Sequence, residues 1–248
     1  MTLHLDLTKS ARALRVSLDK AGVAPDVQAE LVLDIDVSGS FEHEHEEGTT
    51  NKLVARLVPW GMVLDPDRAV DVFTFSHGPD SAHHVGTVTA KDADSFVLDR
   101  IVGRVPGWTG GTDYSFVLER NLQHFGWLPQ PVARLGWISR FLGLETETKP
   151  VRAKKRSIVI FITDGENTDE ARTDTILRAS QNRGDDIYFL FMGACEHDVD
   201  FKFLRQVADR YHNTGLVIIR DLDGFVDLSD DALNAQLLVP ELIDWLRK

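Results

Sequence analysis

The feature that most constrains the fold is a series of nearly continuous apolar runs separated by segments with helical spacing. The longest runs occupy residues 29–35, 157–163 and 187–193. Strands buried on both faces of a parallel sheet have this composition, because helices cover the sheet on each side. Shorter strands are predicted at 70–75, 84–89 and 216–220. Strands that alternate with helices predict an α/β domain with a doubly wound, mainly parallel sheet.

The first 28 residues stand outside this alternation. Apolar side chains recur there at every second position, first as Leu3, Leu5 and Leu7 and again as Leu14, Val16 and Leu18. A period of two is typical of β-strands, so we expect a short N-terminal β-extension over residues 1–28. The main domain then covers residues 29–248, and it ends in a single helix over 230–247 that contains Pro240.

Residues 127–156 differ from the rest of the chain in charge. They contain seven basic and two acidic side chains, whereas the whole chain has a formal net charge of -12. Apolar residues from Val132 to Leu142 recur at helical spacing. We interpret the segment as a basic insertion with an amphipathic helix. Its Trp137 and Phe141 either pack beneath a long loop or dock a partner, and a basic amphipathic helix can also lie on a membrane surface.

Composition excludes several classes of function. A strongly acidic chain is a poor general ligand for nucleic acid, because phosphates are repelled. No apolar run approaches the ~18 residues of a membrane-spanning helix, and the N-terminal segment lacks the apolar core of a secretory signal. Cys195 is the single cysteine, so no intrachain disulfide can form. These features predict a cytoplasmic protein without a membrane span.

Oxygen-bearing side chains cluster where strands and loops lead into helices. They are Asp36, Ser38 and Ser40 after the first long strand, Thr112 in a glycine-rich loop, and Asp164 after the next long strand. The carboxyl ends of parallel strands share one edge, so we expect these side chains to converge. Hydroxyl and carboxylate oxygens suit Mg²⁺, with Ca²⁺ or Mn²⁺ as alternatives, better than Zn²⁺. We predict direct ligation by the three hydroxyls and water-mediated contact by the two carboxylates.

These residues resemble the metal-ion-dependent adhesion site, or MIDAS, of von Willebrand factor A domains. The segments LVLDIDVSGS at 31–40 and VIFITDGEN at 159–167 are most similar to the bacterial tellurium-resistance-associated TerF-like group and to copine A domains. The resemblance implies a six-stranded mixed sheet between helices and a non-catalytic protein-binding module. It also implies that the metal's open position takes an acidic side chain from a partner. The implied setting is a bacterial stress-response or tellurite-resistance system.

We also consider a hypothesis in which an acidic partner binds this chain at two places, which we call the two-point hypothesis. The partner's carboxylate would bind the metal, and a neighbouring surface would contact the basic insertion through Arg134, Trp137 and Arg140. The insertion leads into the amino end of the strand at 157–163, whereas Asp164 follows the carboxyl end of that strand. We therefore expect the insertion to be attached at the end of the sheet opposite to the metal. The sequence leaves the partner and the oligomeric state open.

An alternative interpretation of the same segment is that the chain is an enzyme. The segment LVLDIDVS also resembles the first motif of Mg²⁺-dependent haloacid-dehalogenase-type phosphohydrolases, in which Asp34 would be the nucleophile and Asp36 the general acid–base. The acids expected after a late strand are misplaced, because Gly184-Asp185-Asp186 precedes a strand. Ser40, Thr112 and Asp164 would also have no role. We therefore predict that the chain is not an enzyme.

Histidines raise two further questions. The run Glu42–Glu47 alternates acids with His43 and His45, and it is either a solvated helix start or a second site for Zn²⁺ or Ni²⁺. The solvated helix is favoured, because a histidine-rich tract is compositional information only. We expect His83 and His84 to be surface residues of an edge strand.

Overall fold

The computed structural model describes residues 6–130, 153–195 and 199–248. Its centre is a sheet of six strands: β1 Glu30–Asp36, β2 Val70–Phe75, β3 His83–Val88, β4 Ser157–Thr163, β5 Ile187–Ala194 and β6 Thr214–Ile219. The spatial order is β3-β2-β1-β4-β5-β6. Every neighbouring pair is parallel except β2 and β3, which are antiparallel. The predicted doubly wound, mainly parallel sheet is confirmed.

Helices cover both faces of this sheet. They are α1 Leu7–Lys20, α2 Glu42–Glu46, α3 Thr49–Leu64, α4 Phe96–Arg100, α5 Ser115–His124, α6 Glu170–Arg183, α7 Lys202–Arg210, α8 Leu222–Val226, α9 Asp230–Leu237 and α10 Pro240–Leu246. One core joins the sheet to α1, α3 and α8–α10, and the other joins it to α5, α6 and α7. No helix among the described residues is both long and apolar enough to cross a membrane.

The alternation of side chains along β1 determines which way its acids face. Leu33 and Ile35 belong to the core beneath α3, whereas Val32 belongs to the core beneath α5. Successive side chains of a strand point to opposite faces, so Asp34 and Asp36 share the α5 side with Val32. Asp36 is the last residue of β1, and its side chain therefore lies at the carboxyl end of the sheet.

The predicted N-terminal β-extension is wrong, because residues 7–20 form helix α1. Leu14 and Leu18 are buried one turn apart, whereas Val16 between them is 48% exposed. The apolar face therefore has helical rather than period-two spacing. The Asp6 carboxylate accepts from the Lys9 backbone N–H at 3.1 Å and caps the helix. Burial of each leucine stabilises this arrangement by about 1.5–3 kcal/mol.

The C-terminal segment also differs from its prediction. Two helices, α9 and α10, replace the single helix over 230–247, and Pro240 occupies the first turn of α10. Proline has no backbone N–H, and it is tolerated where that donor would be unpaired in any case. Pro59, by contrast, lies inside α3, which continues to Leu64.

Most of the predicted basic insertion, residues 131–152, lies outside the described residues. Its two ends are held together, because the Lys155 backbone N–H donates to the Phe125 carbonyl at 3.1 Å. The Trp127 indole also donates to the Lys155 carbonyl at 3.0 Å. These contacts lie just before β4 begins at Ser157. The insertion is therefore attached at the end of the sheet opposite to Asp164.

Candidate metal centre

The two predicted carboxylates are brought together by adjacent strands. β1 and β4 pair in parallel with Ile35 opposite Ile162, so Asp36 and Asp164 follow these positions at the same edge of the sheet. Asp36 is fully buried, and Asp164 is nearly so. Two acids in such proximity repel each other when no cation is bound.

The Asp36 carboxylate is held by neutral donors. Its Oδ1 accepts from the Ser38 backbone N–H at 2.8 Å, and its Oδ2 accepts from the Thr163 hydroxyl at 2.6 Å. Burial and, to a smaller extent, the charge of Asp164 raise the pKa of Asp36 to about 7, against the lowering effect of these hydrogen bonds. A cation at this place would remove the penalty that burial imposes on the ionised form.

Two predicted hydroxyls lie between these acids. The Ser38 hydroxyl is 3.3 Å from the Ser40 hydroxyl, and it donates to Asp164 Oδ1 at 3.4 Å. Ser40 is exposed, whereas Ser38 is buried. The structure thus connects Asp36, Ser38, Ser40 and Asp164 into one cluster of oxygens that opens to the surface at Ser40.

The loop that carries Thr112 is held at the same end of the sheet by backbone contacts with the Ser38 loop. Gly110 forms a bridge with Ser38, and its carbonyl accepts from the Gly39 backbone N–H at 3.0 Å. Thr112 is buried two residues later. A side chain at Gly110 would be sterically excluded, since a Cβ would lie 2.9 Å from the Gly107 carbonyl oxygen. The close approach of this loop to the Ser38 loop therefore requires glycine.

The Thr112 loop is also bonded to the loop that follows Asp164. The Thr168 backbone N–H donates to the Thr112 carbonyl at 2.9 Å, and its hydroxyl donates to Asp113 Oδ1 at 2.5 Å. Asp169 accepts from the backbone N–H groups of Tyr114 and Ser115 at 3.1 and 3.2 Å. Sequence reasoning missed these residues, although an Asp directly before a helix is a common capping signal.

His45 is a second supporting residue that the sequence did not reveal. Its Nε2 lies 2.8 Å from the Asp36 carbonyl oxygen, and its Nδ1 lies 2.8 Å from the Thr50 hydroxyl. A carbonyl can only accept, so Nε2 carries the proton and Nδ1 accepts from Thr50. Burial lowers the pKa of His45 to about 4, which keeps the ring neutral.

The burial of His45 bears on both interpretations of the Glu42–Glu47 run. It contradicts a second metal site that uses His45, and it limits the solvated helix to the other residues of the run. His45 is fully buried and both of its ring nitrogens are engaged, so it does not offer a ligand for the second site suggested with His43. His43 is exposed on α2 and faces Glu47 at 3.5 Å, as a solvated helix predicts.

The phosphohydrolase alternative finds no support in the geometry. Asp34 is fully buried beneath α5, where its Oδ2 accepts from the Asn121 amide at 2.6 Å. Burial raises the pKa of Asp34 well above its usual range. A nucleophile must reach its substrate as a carboxylate, whereas this side chain is inaccessible and its burial disfavours the ionised form.

The two-point hypothesis places its second contact on the basic insertion, and the structure does not describe the residues of that contact. Arg134, Trp137 and Arg140 lie outside the described residues. The described ends of the insertion are attached at the opposite edge of the sheet from Asp36, which weakens the hypothesis.

Comparison with known proteins agrees with this fold. A family model described as vWA-TerF-like, the vWA found in the TerF C terminus, matches residues 28–248. No curated protein matches the sequence. Proximal thread matrix protein 1 from the mussel byssus is 18% identical, with a TM-score of 0.50 over 84% of this chain and 47% of that chain. The manganese-loaded TRAP protein of Plasmodium vivax is 14% identical, with a TM-score of 0.50 over 88% of this chain and 75% of that one.

These structural similarities concern the fold alone, and this chain spans about half the length of the mussel protein. The family match, by contrast, covers the entire sheet and every residue of the oxygen cluster. The resemblance inferred from the sequence is therefore confirmed, and the chain belongs to the vWA-TerF-like family of von Willebrand factor A domains.

Proposed function

We propose that this chain is a non-catalytic protein-binding module whose binding site is a divalent cation. The observation that supports this most directly is the cluster formed by Asp36, Ser38, Ser40 and Asp164 at the carboxyl edge of the sheet. Its donors are all oxygens, and two of them are buried carboxylates. Such a set fits a hard cation.

The proposed ligands are the hydroxyls of Ser38, Ser40 and Thr112. Asp36 and Asp164 supply negative charge and hold water molecules in the cation's shell. Mg²⁺ is the proposed ion, because it retains several waters and needs few direct protein ligands. Mn²⁺ and Ca²⁺ are the alternatives, and a structure of similar fold is described as manganese-loaded. When bound, the cation supplies a Lewis-acidic position for an external oxygen.

The proposed partner is a protein that contributes an Asp or Glu side chain. The formal net charge of -12 repels an acidic partner, so the cation is needed to offset that repulsion locally. The exposed position of Ser40 leaves the site open to a second molecule. A bacterial stress-response or tellurite-resistance system and a cytoplasmic location are the proposed setting.

Calorimetric titration with Mg²⁺ tests the metal assignment. We expect one Mg²⁺ per wild-type chain and no measurable binding by Asp36→Ala, because the variant loses a buried charge beside Asp164. Asp36→Asn keeps the shape of the side chain and should lose binding equally, which separates charge from folding. Asp186→Ala, at the opposite end of the sheet, is the control and should bind normally. Unchanged binding by folded Asp36→Asn would exclude this site.

The partner assignment has a separate test. The immobilised chain is used to capture proteins from a bacterial extract with Mg²⁺, with EDTA, and as the Ser38→Ala variant. We expect a protein that is retained only by the wild-type chain with Mg²⁺, and that is released when its acidic contact residue is replaced. A partner retained equally in EDTA would mean that the cation is not the contact site.

A further inference from the structure

Two histidines and one aspartate converge beside the edge strand β3, away from the oxygen cluster at the carboxyl end of the sheet. Asp71 lies on β2 opposite Thr87, His84 lies on the edge strand β3, and His124 is the last residue of α5. Asp36 pairs with Phe75, four residues along β2 from Asp71. This distance corresponds to about 13 Å along a strand, so the two clusters are separate.

Both imidazoles contact the same carboxylate. His84 Nε2 lies 3.1 Å from Asp71 Oδ1, and His124 Nε2 lies 2.8 Å from Asp71 Oδ2. The Thr87 hydroxyl donates to Oδ1 at 2.8 Å and orients the carboxylate. Burial acts to raise the pKa of Asp71, but the hydrogen bonds from His124, His84 and Thr87 hold it well below its usual range. Asp71 is therefore ionised.

The two rings are held by packing and remain accessible. Phe73 packs against both, with ring centroids 4.7 Å from His84 and 5.4 Å from His124. The His84 and His124 side chains are 43% and 18% exposed. A recess of about 380 Å³ opens beside them, and its lining includes His83 and the cationic Arg120. An ion can therefore reach these nitrogens from solvent.

We propose that Asp71, His84 and His124 form a binding site for Zn²⁺ or a similar transition-metal ion. Two imidazole nitrogens with one carboxylate are a typical donor set for such ions, whereas the oxygen cluster suits harder ones. Ligand atoms on a tetrahedral Zn²⁺ lie about 3.3 Å apart, given bonds of ~2.0–2.1 Å. The two nitrogen–oxygen distances at Asp71 are close to this separation, although the three ligand atoms do not all lie within 4.8 Å of one another before an ion binds.

Binding requires two local changes. Each Nε2 atom gives up to solvent the proton that faces Asp71, and its ring takes up a proton on Nδ1, so that the ring stays neutral and Nε2 can bind the ion. The two nitrogens approach different oxygens of the carboxylate, so they must close around one ion. The His84 side chain is 43% exposed, so its ring is the one with space to move towards the ion, while the carboxylate stays oriented by Thr87. A water molecule from the recess completes the shell.

Zn²⁺ titration in the Asp36→Asn background tests the proposal, because that background removes the oxygen cluster as a competing site. We expect one Zn²⁺ per chain. His84→Ala, His124→Ala and the double variant should each weaken Zn²⁺ binding at least about 100-fold, because a nitrogen that binds the ion directly is lost, and loss of a merely supporting partner already costs up to about that much. Circular dichroism checks that each variant is folded.

His43→Ala is the matched control, because His43 is an exposed histidine that also faces a carboxylate, that of Glu47. Its Zn²⁺ affinity should be unchanged. If the Asp36→Asn chain binds no stoichiometric Zn²⁺, or if the His84 and His124 variants bind as tightly as their parent, the three residues are only an ion-pair network. That outcome leaves the Mg²⁺ test at Asp36 unaffected.

Discussion

At the scale of single residues, the Ser38 loop depends on His45 and Thr163, which are not among the proposed metal ligands. The Asp36 carbonyl is paired with the buried imidazole of His45, and the Asp36 carboxylate is paired with Thr163. His45 itself packs between Phe41 and Trp108, with ring centroids at 5.0 and 5.4 Å. The histidine therefore fixes the backbone of the last residue of β1 before the loop begins.

His45→Ala should be destabilising and should also weaken Mg²⁺ binding. The substitution leaves the Asp36 carbonyl without its donor and creates a cavity beside two aromatic rings, so a loss of about 2–4 kcal/mol in the free energy of unfolding is expected. Urea unfolding measures this loss, and calorimetry measures the Mg²⁺ affinity. His43→Ala, on the same short helix but exposed, should change neither quantity. Equal stability of the two variants would contradict the structural role of His45.

The sequence predicted that Asp36, Ser38, Ser40 and Asp164 converge, but it did not predict the residues that support them. Asp36, Ser38, Ser40, Thr112 and Asp164 stand at strand ends and in a glycine-rich loop, where local pattern is informative. His45 was not predicted to be buried, because it belongs to a run of charged residues and its partner Asp36 is nine residues away. Contacts of this kind depend on how α2 folds back onto β1, which no local pattern encodes.

At the scale of elements, the loops around the oxygen cluster are joined to one another rather than to the sheet alone. Asp169 precedes α6, yet its carboxylate accepts from the first backbone N–H groups of α5. The Arg172 side chain donates to the Ser115 hydroxyl at 2.6 Å and reinforces the same junction. The start of α6 thereby sets the position of the Thr112 loop relative to Asp164.

Asp169→Ala tests this junction. The loss of a charged cap exposes unpaired N–H groups at the start of α5 and should cost about 1–2 kcal/mol in the free energy of unfolding. Since the Thr112 loop leads directly into α5, Mg²⁺ affinity should fall about 10-fold as well. Asp6→Ala removes the cap of α1, far along the chain, and should reduce stability without a change in Mg²⁺ affinity. Equal Mg²⁺ affinity in the two variants would show that the junction does not position Thr112.

The accuracy of the sequence prediction varied with burial. β1, β4 and β5 were predicted closely, because strands buried on both faces have continuous apolar runs that few other elements produce. Helix α1 was not, since its leucines also fit a period of two over a short window. Only packing against α3 and α9 distinguishes the two periods, as the exposure of Val16 demonstrates.

At the scale of the whole molecule, acidic side chains occupy both ends of the sheet. Asp36 and Asp164 lie at the carboxyl end, whereas Asp65 lies at the other end, between α3 and β2. Asp65 Oδ2 accepts from the Leu31 backbone N–H at 2.9 Å, and its Oδ1 accepts from the Asp67 backbone N–H at 2.8 Å. The carboxyl group thus fixes the entry to β1 by a hydrogen bond that spans 34 residues of sequence.

This position makes the stability of the molecule depend on pH. Burial raises the pKa of Asp65 from 3.8 to about 6, against the lowering effect of the two backbone donors. Between these two values the folded state binds more protons at this site than the unfolded state does. The contribution of Asp65 to the free energy of unfolding is therefore greatest below about pH 4, and it declines as the pH rises towards 6.

Asp65→Asn removes this titration, because an amide keeps one acceptor oxygen and never ionises. Urea unfolding of both proteins between about pH 4 and pH 8 gives the difference in their free energies of unfolding, from which other titrating groups cancel. We expect the wild type to lose stability relative to Asp65→Asn between about pH 4 and 6, and the difference to be constant above that window. Asp67→Asn, an exposed neighbour, should run parallel to the wild type. Parallel curves for Asp65→Asn would mean that the Leu31 and Asp67 donors offset the effect of burial, so that the pKa of Asp65 is the same in the folded and unfolded states.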